Sequence, residues 1–394
     1  MTMAADKQDK VLNVPNLRFP QFTEEWTEYK LEDITSFSKD RISSSILTEE
    51  NYVSTENMLQ DFQGIVRSQG VPTNTNVMAY KKGDVLISNI RPYLKKVWKS
   101  DRDGGCSADV FVIRANKTVC NEDFLHYIIA NDCFIAYVMS GAKGVKMPRG
   151  DKEQMKGYRT AIPSLEEQTK IARLLTAIDE RITSQNRIIK ELQSLISGIT
   201  HKISKHSTVR RTMLKELLCE RHEKNSLLFP VHSVSVSEGI VNQIEYLGRS
   251  FSAADTSNYN VAHKGDIIYT KSPTGDFPFG IVKRSAIETN VAVSPLYGVY
   301  QPVSDEVAVY LHYYFCSPLN AQNYLHKLIQ KGAKNTINIT NQRFLENYVP
   351  LPDKDTLSKF VLLMNVVSEK LNSEKSLLNA LRSQKSYLLK EMFV

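Results

Sequence analysis

Two stretches of the sequence concentrate side chains able to hold a planar, charged polymer. Ser88-Asn89-Ile90-Arg91-Pro92-Tyr93-Leu94-Lys95-Lys96 combines a hydroxyl, an amide, a guanidinium, a phenol and two ammonium groups. Amide and guanidinium groups can make paired hydrogen bonds to the edges of bases, whereas lysine binds phosphate as a point charge. Further on, Gly141-Ala142-Lys143-Gly144-Val145-Lys146 leads to Arg149. The same residue types return as Thr270-Lys271-Ser272-Pro273-Thr274-Gly275 and as Lys331-Gly332-Ala333-Lys334-Asn335-Thr336. The candidate contacts are therefore Ser88, Asn89, Arg91, Tyr93, Lys95, Lys96, Lys143, Lys146 and Arg149, then Thr270, Lys271, Thr274, Lys331, Lys334, Asn335 and Thr336. One lysine-rich loop is ordinary solvated surface. Its recurrence at equivalent places in two halves of a chain points to a shared ligand.

Signatures of catalysis are missing. The chain has no Pro-Pro dipeptide, so the Asp/Asn-Pro-Pro-aromatic motif of amino-methyltransferases is absent. Neither a G-x-x-x-x-G-K-S/T phosphate loop nor a G-x-G-x-x-G turn occurs. Glu28-Tyr29-Lys30 has the E-x-K form of metal-dependent nucleases but lacks an upstream aspartate in a folded context, and is read as a chance match. His126 and His312 have no metal-spaced partners and are read as helix or core residues. The five cysteines form no C-x-x-C pair, which argues against structural zinc and for reduced thiols in a cytoplasm. No cofactor or metal is expected on this chain, which reads as a binder and not a catalyst.

Composition agrees. A net charge of +7 with a pI near 8.9 permits nucleic-acid binding without establishing it. No apolar run approaches the ~20 residues that cross a bilayer, so no membrane role is expected. Residues 1–14 are polar and read as a tail.

The elements that must carry these loops are written twice. Tyr29-Lys30-Leu31-Glu32-Asp33-Ile34 has a copy at 212–217, and Lys82-Gly83-Asp84 before a β-branched run returns as Lys264-Gly265-Asp266. Leu125-His126-Tyr127 returns as Leu311-His312-Tyr313, and each helix is followed by a glycine-lysine loop. The order is kept and the offset wanders only from 182 to 191, which is the mark of a tandem duplication.

Each copy ends in a long helix. Ile171, Leu175, Ile178, Ile182, Gln185, Ile189, Leu192, Ile196, Ile199 and Ile203 keep an unbroken 4-3 spacing, the seam of a coiled coil. At an offset of 189 follow Phe360, Met364, Val367, Leu371, Glu374, Leu378, Leu381, Lys385, Leu388 and Met392. The polar Gln185 falls on the polar Glu374. Ser164 three residues before Glu167 predicts a capping box, and Asp353 predicts an N-cap although Thr356 replaces the glutamate. Packing the two seams together antiparallel is the simplest way to bury both, and it implies a pseudo-two-fold axis. With full overlap, facing residue numbers sum to 563, which sets Glu374 beside Ile189 and Lys190, and Lys385 beside Asp179. From 171 to 203 the helix is roughly 48 Å long, longer than one DNA turn of about 34 to 36 Å.

The predicted fold class is α+β: two tandem mixed α/β recognition domains alternating with two long helices. The boundaries are 15–162 for the first domain, 163–206 for the first helix, 207–350 for the second domain and 351–394 for the second helix. From about Pro15 to Val394 the chain resembles the specificity subunit of type I restriction-modification enzymes. The features that carry the resemblance are Leu17-Arg18-Phe19-Pro20 with Trp26, the repeated Lys-Gly-Asp turn, the glycine-lysine loops, and the Ile-Pro-Ser-Leu-Glu-Glu-Gln and Leu-Pro-Asp helix starts. The resemblance implies two target recognition domains, each reading one half of an asymmetric bipartite DNA target. It implies helices that set the spacer and dock two modification subunits, which bind S-adenosylmethionine and methylate adenine. Restriction subunits using ATP and magnesium would complete a cytoplasmic complex. Thr356 and Lys385 depart from a perfect repeat. The alternative is a coiled-coil adaptor with no DNA preference.

Overall fold

The computed structural model describes residues 13–248, 255–331 and 337–394. Two compact units form: Met1–Ser184 together with Leu377–Val394, and Gln185–Ser376. The expected mixed α+β class is found in both, and each unit contains a segment of each long helix.

In the first unit the Lys-Gly-Asp turn opens the strand Val85–Ser88, which lies inside a four-stranded antiparallel sheet ordered Thr35–Phe37, Val110–Ala115, Val85–Ser88, Val97–Lys99. The strand is buried on both faces because successive side chains point opposite ways. Val85 and Ile87 join the core around Phe124, Phe134 and Ile171, while Leu86 joins Val53, Tyr80 and Val112. That smaller cluster is backed by a second sheet, Arg41–Ser43, Asn76–Tyr80, Gly104–Cys106 and Tyr52–Val53. Thr27–Lys30 pairs with Arg159–Ile162 and so delivers the chain to the first long helix, Leu165–Ser204.

The second unit repeats the plan. Its sheet runs Leu218–Glu220, Gly298–Pro302, Ile267–Thr270, Ile281–Arg284. Ile267 and Tyr269 face the core around Tyr310 and Phe344, whereas Ile268 faces Ala262, Val291 and Val299. Arg210–Met213 pairs with Tyr348–Leu351 and leads into the second long helix, Lys354–Glu391.

The Lys-Gly-Asp turn is more than a hairpin. Gly83 and Gly265 both sit at φ +90°, which only glycine adopts readily. Asp84 is buried and takes a bidentate grip from Arg114, at 2.8 Å to each oxygen, while the Lys81 amide donates to it as well. Asp266 takes the same grip from Arg221, at 2.7 and 3.1 Å, and accepts from the His263 amide. The carboxylate is common to both units, but the guanidinium comes from different strands: Arg114 lies within Val110–Ala115, and Arg221 follows Leu218–Glu220.

Every predicted seam position is buried or half-buried. In the first unit Ile171, Leu175 and Ile178 pack with Leu388 and Met392. In the second, Ile196, Ile199 and Ile203 pack on the cluster holding Leu357, Phe360 and Met364. Numbers rise on one helix as they fall on the other, so the helices pair antiparallel. The expected register is only partly correct. Lys385 Nζ does reach Asp179, at 2.6 Å. Glu374, however, meets Gln185 and not Ile189: the Gln185 amide donates to the Glu374 carboxylate and, at 3.1 Å, to its backbone carbonyl. Their numbers sum to 559, about one helical turn from the full-overlap value of 563. The shift is local to that pair, since Lys385 and Asp179 sum to 564. At the chain end Met392 and Phe393 join the first unit's core, where Phe393 stacks on Phe124 at 5.2 Å and Leu17 N–H donates to Glu391 O at 2.8 Å.

Both helix starts also differ in detail from expectation. The Glu167 N–H donates to the Ser164 hydroxyl at 3.4 Å, but the buried Glu167 carboxylate accepts two bonds of 2.7 Å from Arg18 instead of closing a capping box. Gln168 ties the same turn to the domain through Val119 O, Pro163 O and the Asn121 amide. At the second start Asp353 does cap, accepting the Thr356 amide at 2.9 Å and the Thr356 hydroxyl at 3.1 Å. Hydrogen bonds from Thr208 and from the Thr356 amide hold the Asp353 carboxyl down to about 2.

Two outcomes are expected. Asp84→Ala leaves Arg114 facing an empty site; because that guanidinium is 30% exposed, the loss falls below the ~3 to 5 kcal/mol of a fully buried pair, at about 2 kcal/mol in denaturant unfolding. With the native cysteines replaced, a Gln185→Cys/Glu374→Cys pair should oxidise to a disulfide faster than Ile189→Cys/Glu374→Cys, and the opposite order of rates would restore the full-overlap register.

Candidate nucleic-acid interface

The two candidate stretches of the first unit fold into a single ledge. At the end of Val85–Ser88 the backbone turns, with Asn89 O accepting from Gly150 N at 2.8 Å and Arg91 N donating to Pro148 O at 2.7 Å. A short 3-10 turn, Pro92–Leu94, follows, flanked by Arg91 and Lys95 in the left-handed region at φ 49° and 54°. The glycine-lysine loop answers with a hairpin in which Lys143 and Arg149 exchange backbone hydrogen bonds of 3.1 and 2.9 Å. Gly144 at its bend has φ +96°.

Within this ledge the side chains divide into three groups. Ser88 is buried and bonds the Ile90 backbone, and Asn89 is 9% exposed with an Oδ1 that finds no partner. These two are turned inward and shape the turn. Lys95 pairs with Asp132 at 2.8 Å, Lys143 with Asp151 at 3.0 Å and Arg149 with Asp109 at 3.0 Å, while Lys96 donates to Thr55 O at 2.5 Å. Exposed pairs of this kind are worth about 0 to 1 kcal/mol. Arg91, Tyr93 and Lys146 are exposed, and among the described residues the Arg91 and Lys146 side chains make no hydrogen bond or ion pair. The tip between the lysines bares Val145 completely and Met147 by about half.

In the second unit Thr270 is buried at the end of Ile267–Thr270, in the position of Ser88. Lys271 is half-buried; burial lowers the pKa of its ammonium, against the pull of Glu220. Thr274 is exposed and closes a tight turn with Phe277 through backbone bonds of 3.1 and 2.9 Å. Lys331 lies in the strand Gln330–Lys331, paired with Ile337–Asn338, and its side chain is outside the description. Lys334, Asn335 and Thr336 lie outside the described residues.

Sequence reasoning missed the acidic partners Asp109, Asp132 and Asp151. Nothing in their local spacing marks them, since each meets its cation only through the folded loops. Among the described residues no cluster of histidine, cysteine or carboxylate groups could hold a metal ion, and no helix is long and apolar enough to cross a membrane.

Comparison with known proteins agrees with this architecture. Residues 23–194 match the family model described as the type I restriction modification DNA specificity domain. The S subunit of a type I restriction-modification system from M. genitalium superposes with a TM-score of 0.63 at 16% identity, over 97% of this chain and 99% of that one. A structure described as the basis of complex assembly and conformational transition of the type I R-M system superposes with a TM-score of 0.52 at 16% identity, over 93% and 97%. At that identity the superpositions speak for the fold, which is the S-subunit fold along nearly the whole chain. Over residues 23–194, less than half of the chain, that fold also carries the likeness to the DNA specificity domain.

The left-handed backbone at Arg91 separates its structural role from its chemical one. A non-glycine residue there is strained by roughly 1 to 2 kcal/mol. Arg91→Gly is therefore expected to leave the melting temperature unchanged or raised while removing the guanidinium, and a clear loss of stability would show that the side chain packs.

Proposed function

We propose that each unit reads one half of an asymmetric bipartite DNA target, and that the long helices set the spacer between halves and dock two modification subunits. The observation that carries the reading is the ledge. Arg91, Tyr93 and Lys146 stand exposed on a rigid turn anchored to the central sheet, with Lys143 and Arg149 held nearby only by weak surface pairs that a phosphate can replace. Arg91 is assigned to base edges, and Lys146, Lys143 and Arg149 to the backbone. The second unit offers Lys271 and Thr274 at the matching strand end. S-adenosylmethionine would be bound by the modification subunits, and ATP and magnesium by restriction subunits, with none on this chain.

The test is adenine-methylation mapping in cells carrying this chain with its candidate modification partner, against cells lacking only this chain. A split motif that disappears with the chain supports the reading; unchanged methylation with an intact partner overturns it. In binding assays of the assembled complex, Arg91→Ala should cost about 1 to 3 kcal/mol on cognate DNA and relax one half-site. Lys146→Ala should weaken all sequences alike and flatten the salt slope by about one unit. Equal losses on cognate and scrambled DNA for Arg91→Ala would move that residue to the backbone set.

A further inference from the structure

In the second unit the strand Ile281–Arg284 and the helix Asp305–Cys316 enclose three groups that DNA reading does not use. Lys283 is 5% exposed, and its ammonium lies 3.3 Å from Cys316 Sγ. Among the described residues it has no carboxylate partner. Among the described residues Cys316 Sγ is the side-chain hydrogen-bond partner of that ammonium, and a buried ammonium is stabilised by a counter-charge. His312 Nε2 lies 3.8 Å from the same sulfur. Its other nitrogen, Nδ1, accepts the Arg284 amide at 3.2 Å, which leaves the ring proton on Nε2, directed at Cys316. Arg284 does not compete, since its guanidinium is engaged by Asp305. Burial raises the Cys316 thiol, but His312 and Lys283 outweigh it and lower it to about 6. Cys316 remains partly exposed.

The first unit supplies an internal comparison. Leu86 and Ile268 are equivalent by the Lys-Gly-Asp turn, and their cross-strand partners are Trp98 and Lys283. At the offset that relates His126 to His312, the position of Cys316 is occupied by Ala130. His126 Nδ1 there has no partner. The lysine and the cysteine are thus present together in one copy and absent together from the other.

We propose that Cys316 is held as a thiolate by Lys283 and His312 and is the site at which this chain is oxidised by hydroperoxides. The thiolate attacks one peroxide oxygen: the S–O bond forms and the O–O bond breaks. Sulfur loses two electrons, and the departing hydroxide takes a proton to leave as water (or as an alcohol from an organic peroxide). The neutral sulfenic acid no longer balances Lys283, so oxidation loosens the second unit and leaves the first unchanged.

The experiment is a titration of thiolate absorbance near 240 nm on the full chain, taken as the difference between wild type and Cys316→Ser. A midpoint below pH 7 is expected, and one above pH 8 overturns the proposal. Treatment with hydrogen peroxide at pH 6.5, followed by peptide mass mapping, should add oxygen to Cys316 at least tenfold faster than to the exposed Cys133 and Cys219; an equal or slower rate overturns it. Lys283→Met should raise the midpoint by a pH unit or more. The wild-type titration needs no variant at Lys283 and decides the matter even if that variant folds poorly.

Discussion

The antiparallel seam is the constraint on which the rest of the structure depends. The first unit includes Leu377–Val394, so its core is not complete until the last residues of the chain return to it. Leu388 and Met392 pack on Ile171 and Ile178, and Phe393 stacks on Phe124. In the second unit Phe360 and Met364 serve the core in the same manner beside Ile196 and Ile199. Aliphatic side chains alone would tolerate slippage by a heptad. Gln185 against Glu374 makes such slippage costly, because any other register leaves the buried Gln185 amide without its partner, whereas Glu374 keeps Lys370 on its own helix.

From those helices outward, polar contacts fix what the apolar core only gathers. Arg18 on Glu167 and Gln168 on Val119 and Pro163 orient the start of the first helix on its domain. Asp84 on Arg114 and Asp266 on Arg221 brace the turn from which each central strand departs. That strand ends at Ser88 or Thr270, where the candidate loops begin. The ledge is therefore set by a short path from core to surface.

The two units share one plan. The sheets share strand order, and the guanidinium that braces each aspartate has changed strands without altering the turn. The loops beyond the sheet have diverged in residue type, as surface loops can without disturbing the core.

Periodicity and repetition made much of this legible in the sequence. The 4-3 spacing gave both helices, the matched offsets gave the duplication, and Gly83 and Gly265 gave the turn, because each depends on residues close along the chain. Asp353 capping was legible for the same reason. What the sequence could not decide was set by contacts across long separations: Glu374 meets Gln185 about one turn from its full-overlap position, while Lys385 keeps Asp179. The capping box at Glu167 yielded to Arg18, 149 residues away. The candidate list likewise divided into inward Ser88, Asn89 and Thr270, acid-paired Lys95, Lys143 and Arg149, and unpaired Arg91 and Lys146. Residue type alone specifies what a side chain is able to bind; whether it stands free to bind depends on partners such as Asp109, Asp132 and Asp151, which only the fold brings within reach.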